Sequence, residues 1–169
     1  SSVGLAQHRV DAVWFAVRVF TNLSPDELAF HGSVDAYFEA KASLFRADRC
    51  AVAVVNAGDG WGRRILERGG PPARAFSLAE ATDLRLERGR STFGWRGRRV
   101  DLALDGVHNV ENALAAATAA TELGVDADVV AEALSSFGAV DGRSQDVEAG
   151  QPFRVVVDFA HTAGAMAAV

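Results

Sequence analysis

Three short stretches of the chain are almost continuously apolar: residues 16–20 (AVRVF), 51–55 (AVAVV) and 154–159 (RVVVDF). Each is rich in β-branched residues and runs into polar or turn-forming ones: TNLSPDE, NAGDG and AHTAG. Runs of this kind, without alternation, predict strands covered on both faces, as in a parallel sheet. The polar residues just past their carboxyl ends are where open α/β sheets place ligands. Elsewhere the spacing of apolar positions becomes helical. It predicts one helix over 33–45 with Ser33 as N-cap, and a second over 60–68 closed by Gly69, Gly70, Pro71 and Pro72. A third covers 109–123 and stops at Gly124; a fourth starts at Asp126 or Ala127, runs to Phe137 and stops at Gly138. Within 73–105, STFGWRGRRVDLAL alternates about Gly97, the pattern of an antiparallel hairpin. The fold class is therefore α/β: a mostly parallel sheet flanked by helices, with a small antiparallel hairpin subregion. A break in composition at 138–143 divides the chain into 1–140 and 141–169.

One position disturbs the pattern. On the helix over 33–45, Val34, Tyr37, Phe38 and Phe45 share a face, and Glu39 lies outside it. Lys41 falls inside the apolar stripe. Its stem can lie along the apolar surface while the ammonium reaches water. Alternatively the amine is partly desolvated, which lowers its pKa by disfavouring the charged form. A neutral amine can add carbon dioxide, and the resulting carbamate is an oxygen ligand suited to a hard cation such as magnesium.

Composition narrows the function classes. With 169 residues and 49% apolar content the chain can bury a real core. Its net charge is −5 and no basic run stands out, which argues against nucleic acid as a partner. The arginine-rich 85–99 is interrupted by Glu87 and flanked by Asp101, so it reads as a solvated hairpin. Cys50 is the only cysteine, which rules out an internal disulfide and fits a reducing compartment. No apolar stretch is long enough to cross a bilayer, and no signal peptide opens the chain. The opening SSVGLAQHRV has no initiator methionine, and AHTAGAMAAV stops within the first turns of a helix, so a piece of a longer polypeptide is expected.

TNLSPDELAFHGSVDAYFEAKASLF resembles the central-domain signature of the Mur ligases, TNL-x-x-DHLD-x-HG followed by a helix with AK-x-x-LF. Three further regions resemble the family in the same order. They are SSVGLAQHRVD; HNVENALAAATAATELGVD against FN-x-x-NALAA; and GRSQDV with VVVDFAHTAGA against GR-x-E and VDYAHTPDA. The opening stretch is most like the branch that adds the third peptide residue to peptidoglycan precursors.

The resemblance implies a cytoplasmic, ATP-dependent amide ligase with magnesium as cofactor. Its substrates would be ATP, UDP-MurNAc-L-Ala-D-Glu and a diamino acid, meso-diaminopimelate or lysine. ATP phosphorylates the terminal carboxylate, the amine attacks the acyl phosphate, and a tetrahedral intermediate expels phosphate. Lys41 matches the family's carbamylated, magnesium-binding lysine. Ser1, Gln7 and Arg9 match contacts to the UDP-MurNAc-peptide; Thr21 and Asn22 end the first strand and are expected to line the same crevice, and His31 and His161 match family histidines near the site. Asn112 matches the residue that reads adenine, and Arg143 and Asp158 match phosphate- and ribose-side contacts to ATP. Several also have a plainer reading. Arg9 is an ordinary surface arginine, Asn112 a first-turn solvent contact, Asp158 a cap on the next helix, and the histidines structural.

Several positions depart from the pattern. Glu27 stands where the family has a magnesium-binding histidine, and Ala29 replaces an aspartate. GRSQ lacks the usual glutamate, and Ala163-Gly164 replace Pro-Asp. No G-x-x-x-x-G-K-[ST] phosphate loop is present; in the family it lies upstream of SSVGL, so this stretch alone is expected to be inactive. Two alternatives stay open: another amide ligase of the superfamily, of the folylpolyglutamate or cyanophycin synthetase kind, or a catalytically silent nucleotide-sugar-binding homologue.

Overall fold

The computed structural model describes residues 1–24, 27–138, 140–143, 145–162 and 165–166. In chain order they form α1 (Ser2–Ala6), β1 (Phe15–Phe20), α2 (Leu28–His31), α3 (Val34–Ala42) and a 3-10 turn (Ser43–Phe45). Then come β2 (Cys50–Asn56), α4 (Gly60–Arg68), β3 (Ala73–Phe76), a second 3-10 turn (Leu78–Glu80), β4 (Thr82–Glu87), β5 (Arg90–Trp95) and β6 (Arg98–Leu102). The order ends with α5 (Val107–Glu122), α6 (Ala127–Ser136), β7 (Gln145–Asp146) and β8 (Val156–Val157). Asp26, Ser144, Ala163 and Gly164, which carry parts of the quoted motifs, lie outside the described residues.

β1, β2 and β3 make a parallel sheet in that order, with Val17 opposite Val52 and Val55 opposite Ala75. The middle strand explains why AVAVV does not alternate. Val54 points into one core with Phe76, Val110 and Leu114, while Ala53 and Val55 point into another with Phe20, Phe38 and Ile65. Both faces are covered, so both sets of side chains are apolar. α3 and α4 supply the second core, and α5 and α6 the first. The α3–α4 seam is closed by guanidinium groups over rings: Arg64 lies 4.5 Å from Phe38 and 4.6 Å from Trp61. Glu39, on the outer side of α3, pairs with Arg68 of α4.

β4, β5 and β6 form an antiparallel sheet. The two residues between β5 and β6, Arg96 and Gly97, have φ of 49° and 74°, as a tight primed hairpin turn requires. Phe93, Trp95, Val100 and Leu102 project from this sheet into the core shared with α5 and α6.

The helices follow the sequence pattern closely. Ser33 Oγ accepts from Ala36 N–H at 3.1 Å, as an N-cap does. The predicted 33–45 helix changes to 3-10 geometry at Ser43, whose hydroxyl donates to the Ala40 carbonyl at 2.7 Å. The helix expected at 109 begins two residues earlier, after Gly106 at φ 87°.

The third apolar run is where the prediction fails. Of residues 154–159 only Val156–Val157 is strand, and it pairs antiparallel with Gln145–Asp146 outside the parallel sheet. Val157 and Phe159 are exposed, so the run lacks the two-sided cover its composition suggested. The third parallel strand is instead Ala73–Phe76, hidden in the sequence because only Phe76 of its four residues is buried. The two short helices α1 and α2 carry too few residues to show a period.

Candidate functional site

β1 ends at Phe20, and Thr21 and Asn22 follow it at the carboxyl edge of the sheet. A cavity of about 170 Å³ opens there, lined in part by Ser1, Thr21, Asn22, Lys41, Leu44 and Phe45. Lys41 reaches it from the last turn of α3, where a cation also suits the helix dipole. The side chain is half-buried, and its Nζ donates to the Asn22 carbonyl at 3.3 Å. The same nitrogen lies 5.1 Å from the Tyr37 ring centroid and 6.0 Å from that of Phe20. Lys41 follows Tyr37 at the i, i+4 spacing, so the helix itself puts one above the other.

His31 joins this group through Tyr37. The two rings stack at 4.9 Å with 9° between their planes. His31 is positioned by the end of α2, where Gly32 takes the left-handed conformation (φ 76°) and donates to the Leu28 carbonyl at 2.8 Å. The His31 Nε2 atom is buried with no hydrogen-bond partner among the described residues. Glu27 heads α2; its carbonyl accepts from Phe30 and His31, and its exposed carboxylate makes no cap bond.

Ser1 caps α1, accepting from Gly4 N–H at 3.2 Å. Gln7 and Arg9 follow that helix and are exposed. The later candidates form a second group. The Arg143 guanidinium lies 5.1 Å from the Phe159 ring, and the His161 ring stands edge-on to the same phenyl at 5.0 Å. Phe159 N–H ties the two segments together by donating to the Gly142 carbonyl at 2.9 Å. Asp158 Oδ1 accepts from Ala160 N–H at 2.6 Å, a local turn-forming bond. Asn112 stands exposed on α5, its side chain without a hydrogen-bond partner among the described residues.

Two residues at the site escaped the sequence reading. Tyr37 sits on the apolar face of its helix, where an aromatic residue reads as core. Arg18, inside AVRVF, is buried on β1; it donates to the carbonyls of Leu44 and, at 3.2 Å, of Val13, and lies 4.4 Å from the Phe15 ring. It pins Leu44, which lines the cavity, to β1. Burial pushes its pKa down, although a guanidinium stays charged. Burial likewise pushes the Cys50 thiol up, partly offset by Arg18. The available signal was a charge in an otherwise apolar strand.

Magnesium has no ready site among the described residues. They include no group of three or more His, Cys, Asp or Glu placed to hold a metal. Among the described residues, two ring faces and a carbonyl adjoin the Lys41 nitrogen, a setting that suits positive charge. As they stand, these side chains do not fit the ion.

A parallel sheet flanked by helices, with polar side chains gathered beyond a strand end, defines an α/β domain of the kind that places ligands at its strand ends. Residues 1–120 match the family model of the Mur ligase middle domain, and the chain belongs to the Mur ligase family. It is similar to the UDP-N-acetylmuramoyl-L-alanyl-D-glutamate–2,6-diaminopimelate ligases of Streptomyces avermitilis, 38% identical over 181 residues, and of Corynebacterium glutamicum, 40% identical over 183 residues. All of this chain is covered in both cases, but only 36% and 35% of those proteins. A solved ligase of the same name superposes with a TM-score of 0.79 at 30% identity, covering 98% of this chain and 37% of its own. A UDP-N-acetylmuramate-alanine ligase from Thermotoga maritima shares the fold, with a TM-score of 0.69 at 24% identity over 90% of this chain and 36% of its own. No described helix is long and apolar enough to cross a membrane.

Proposed function

We propose that this chain is part of a cytoplasmic, ATP-dependent ligase that joins a diamino acid, meso-diaminopimelate or lysine, to UDP-MurNAc-L-Ala-D-Glu. Residues 1–140 belong to its ATP-binding middle domain and residues 141–169 open the next. The observation that carries the reading is Lys41, set at a cavity with Ser1, Thr21 and Asn22 in a chain whose relatives are named for this reaction.

The substrate carboxylate attacks the γ-phosphorus of ATP, releasing ADP and forming an acyl phosphate. The amine then adds to the acyl carbon, loses a proton, and the tetrahedral intermediate expels phosphate. ATP and the substrate carboxylate are both anions, so the protein's task is to hold them together against repulsion. Ser1, Gln7, Arg9, Thr21, Asn22, His31 and His161 serve the peptide side; Asn112, Arg143 and Asp158 serve the nucleotide. Lys41 is carbamylated in this reading. The carbamate nitrogen keeps one N–H as a donor, while two anionic oxygens are added beyond it. Magnesium belongs to the reading only with that carbamate in place.

The test is Lys41→Ala in the full-length polypeptide, assayed for ATP-dependent amide formation with each diamino acid. Ligation should fall by at least about 100-fold and recover in part with a short-chain carboxylate such as acetate. An unimpaired variant overturns the role. The silent-homologue reading draws on Glu27 and Ala29; ATP turnover dependent on the dipeptide substrate removes it.

A further inference from the structure

We infer that Tyr37 is a positioning residue that sets Lys41 and His31 relative to one another, an inference that rests on the ligase reading above. One ring touches both candidates. His31 stacks on it at 4.9 Å, nearly parallel, and the Lys41 nitrogen lies 5.1 Å from its centroid. Tyr37 is only 5% exposed, so the core holds its ring in place. Lysine has a long, freely rotating stem that would sample many positions without such a wall. The ring face attracts the ammonium, and its bulk confines the stem once the charge is gone. Phe20 makes a second wall at 6.0 Å and is itself braced edge-on by Phe45. The Asn22 carbonyl accepts from the tip at 3.3 Å. Thus β1, the residues after it and α3 locate one nitrogen between them.

Stacking does the same for His31. Its buried Nε2 has no hydrogen-bond partner among the described residues, so the plane of the ring decides where that atom can donate or accept when a ligand arrives. Without an aromatic ring at 37, the strand end and α2 no longer share a fixed reference.

The experiment is a double-mutant cycle in the full-length polypeptide. Tyr37→Leu should lower kcat about tenfold, with KM for the amino acid within about twofold, because geometry rather than uniform binding is lost. The conservative Tyr37→Phe should restore most of the rate. In a Lys41→Ala background rescued by acetate, adding Tyr37→Leu should cost clearly less than in the wild-type background, about threefold at most, since of the two side chains it places only His31 remains. An equal penalty in both backgrounds marks Tyr37 as merely structural and overturns the inference, as does a Tyr37→Phe variant as weak as Tyr37→Leu. An unimpaired Lys41→Ala enzyme instead overturns the ligase role of Lys41, and this inference with it. Near-ultraviolet circular dichroism checks folding; should Tyr37→Leu fail it, the flexible Tyr37→Met carries the same comparison.

Discussion

Gly62 shows how one absent carbon sets the distance between a helix and a sheet. It sits in the first turn of α4, and a β-carbon there would drive into the Asn56 carbonyl at the end of β2. The turn between them is tightly bonded. Asn56 Oδ1 accepts from Gly58 N–H at 2.8 Å, and Asp59 Oδ1 accepts from Trp61 and Gly62 at 2.9 and 3.0 Å. Neither side can yield cheaply, so Gly62→Ala should cost about 3 kcal/mol, measured by urea unfolding. In sequence, Gly62 is one of several glycines in NAGDGWG, and nothing local marks it as the one that cannot change. Lys41 was legible because a charge in an apolar stripe breaks a pattern. Tyr37 was not, since an aromatic residue on that stripe is what a core helix normally carries.

At the scale of elements, β7 and β8 are short and depend on ion pairs. Asp146 accepts from Arg154 at 2.6 Å within the pair and from Arg88 of the β4–β5 turn at 3.1 Å. The guanidinium of Arg154, then that of Arg88, holds its pKa at about 2, below the ordinary 3.8. A carboxyl depressed on folding favours the folded arrangement above its ordinary pKa, and that contribution disappears as the pH falls through the lowered value. The tie between hairpin and strand pair should therefore persist at pH 4 and fade from about 3.8 to about 2. The carboxyl carbon-13 shift of Asp146 should titrate near the lower value, and Arg154→Ala should move the midpoint up; an unmoved midpoint refutes the assignment. Most helix ends were legible because caps and glycines are local chemistry. The partner of residues 154–159 was not, because an apolar run states that a strand needs cover without stating which strand provides it.

Across the whole molecule, stability is concentrated in two cores on opposite faces of β2. Leu114 is fully buried where α5 meets the sheet, so Leu114→Ala should cost about 2–5 kcal/mol in urea unfolding. Leu123, exposed just past the same helix, should cost less than about 0.5 kcal/mol when truncated. The chain spans 36% of the length of the Streptomyces avermitilis relative, so activity belongs to tests on the full-length polypeptide. Periodicity, caps and turn residues alone were enough to establish the α/β class, four helices, two of the parallel strands and the β5–β6 hairpin, because each depends on neighbours a few residues apart. Folding in three dimensions decided that Ala73–Phe76 completes the parallel sheet and that Arg18 holds Leu44, which lines the cavity. It also decided that Asn22, His31, Tyr37 and Lys41 share one place, since contacts between distant segments depend on how faces pack and not on the order of residues along the chain.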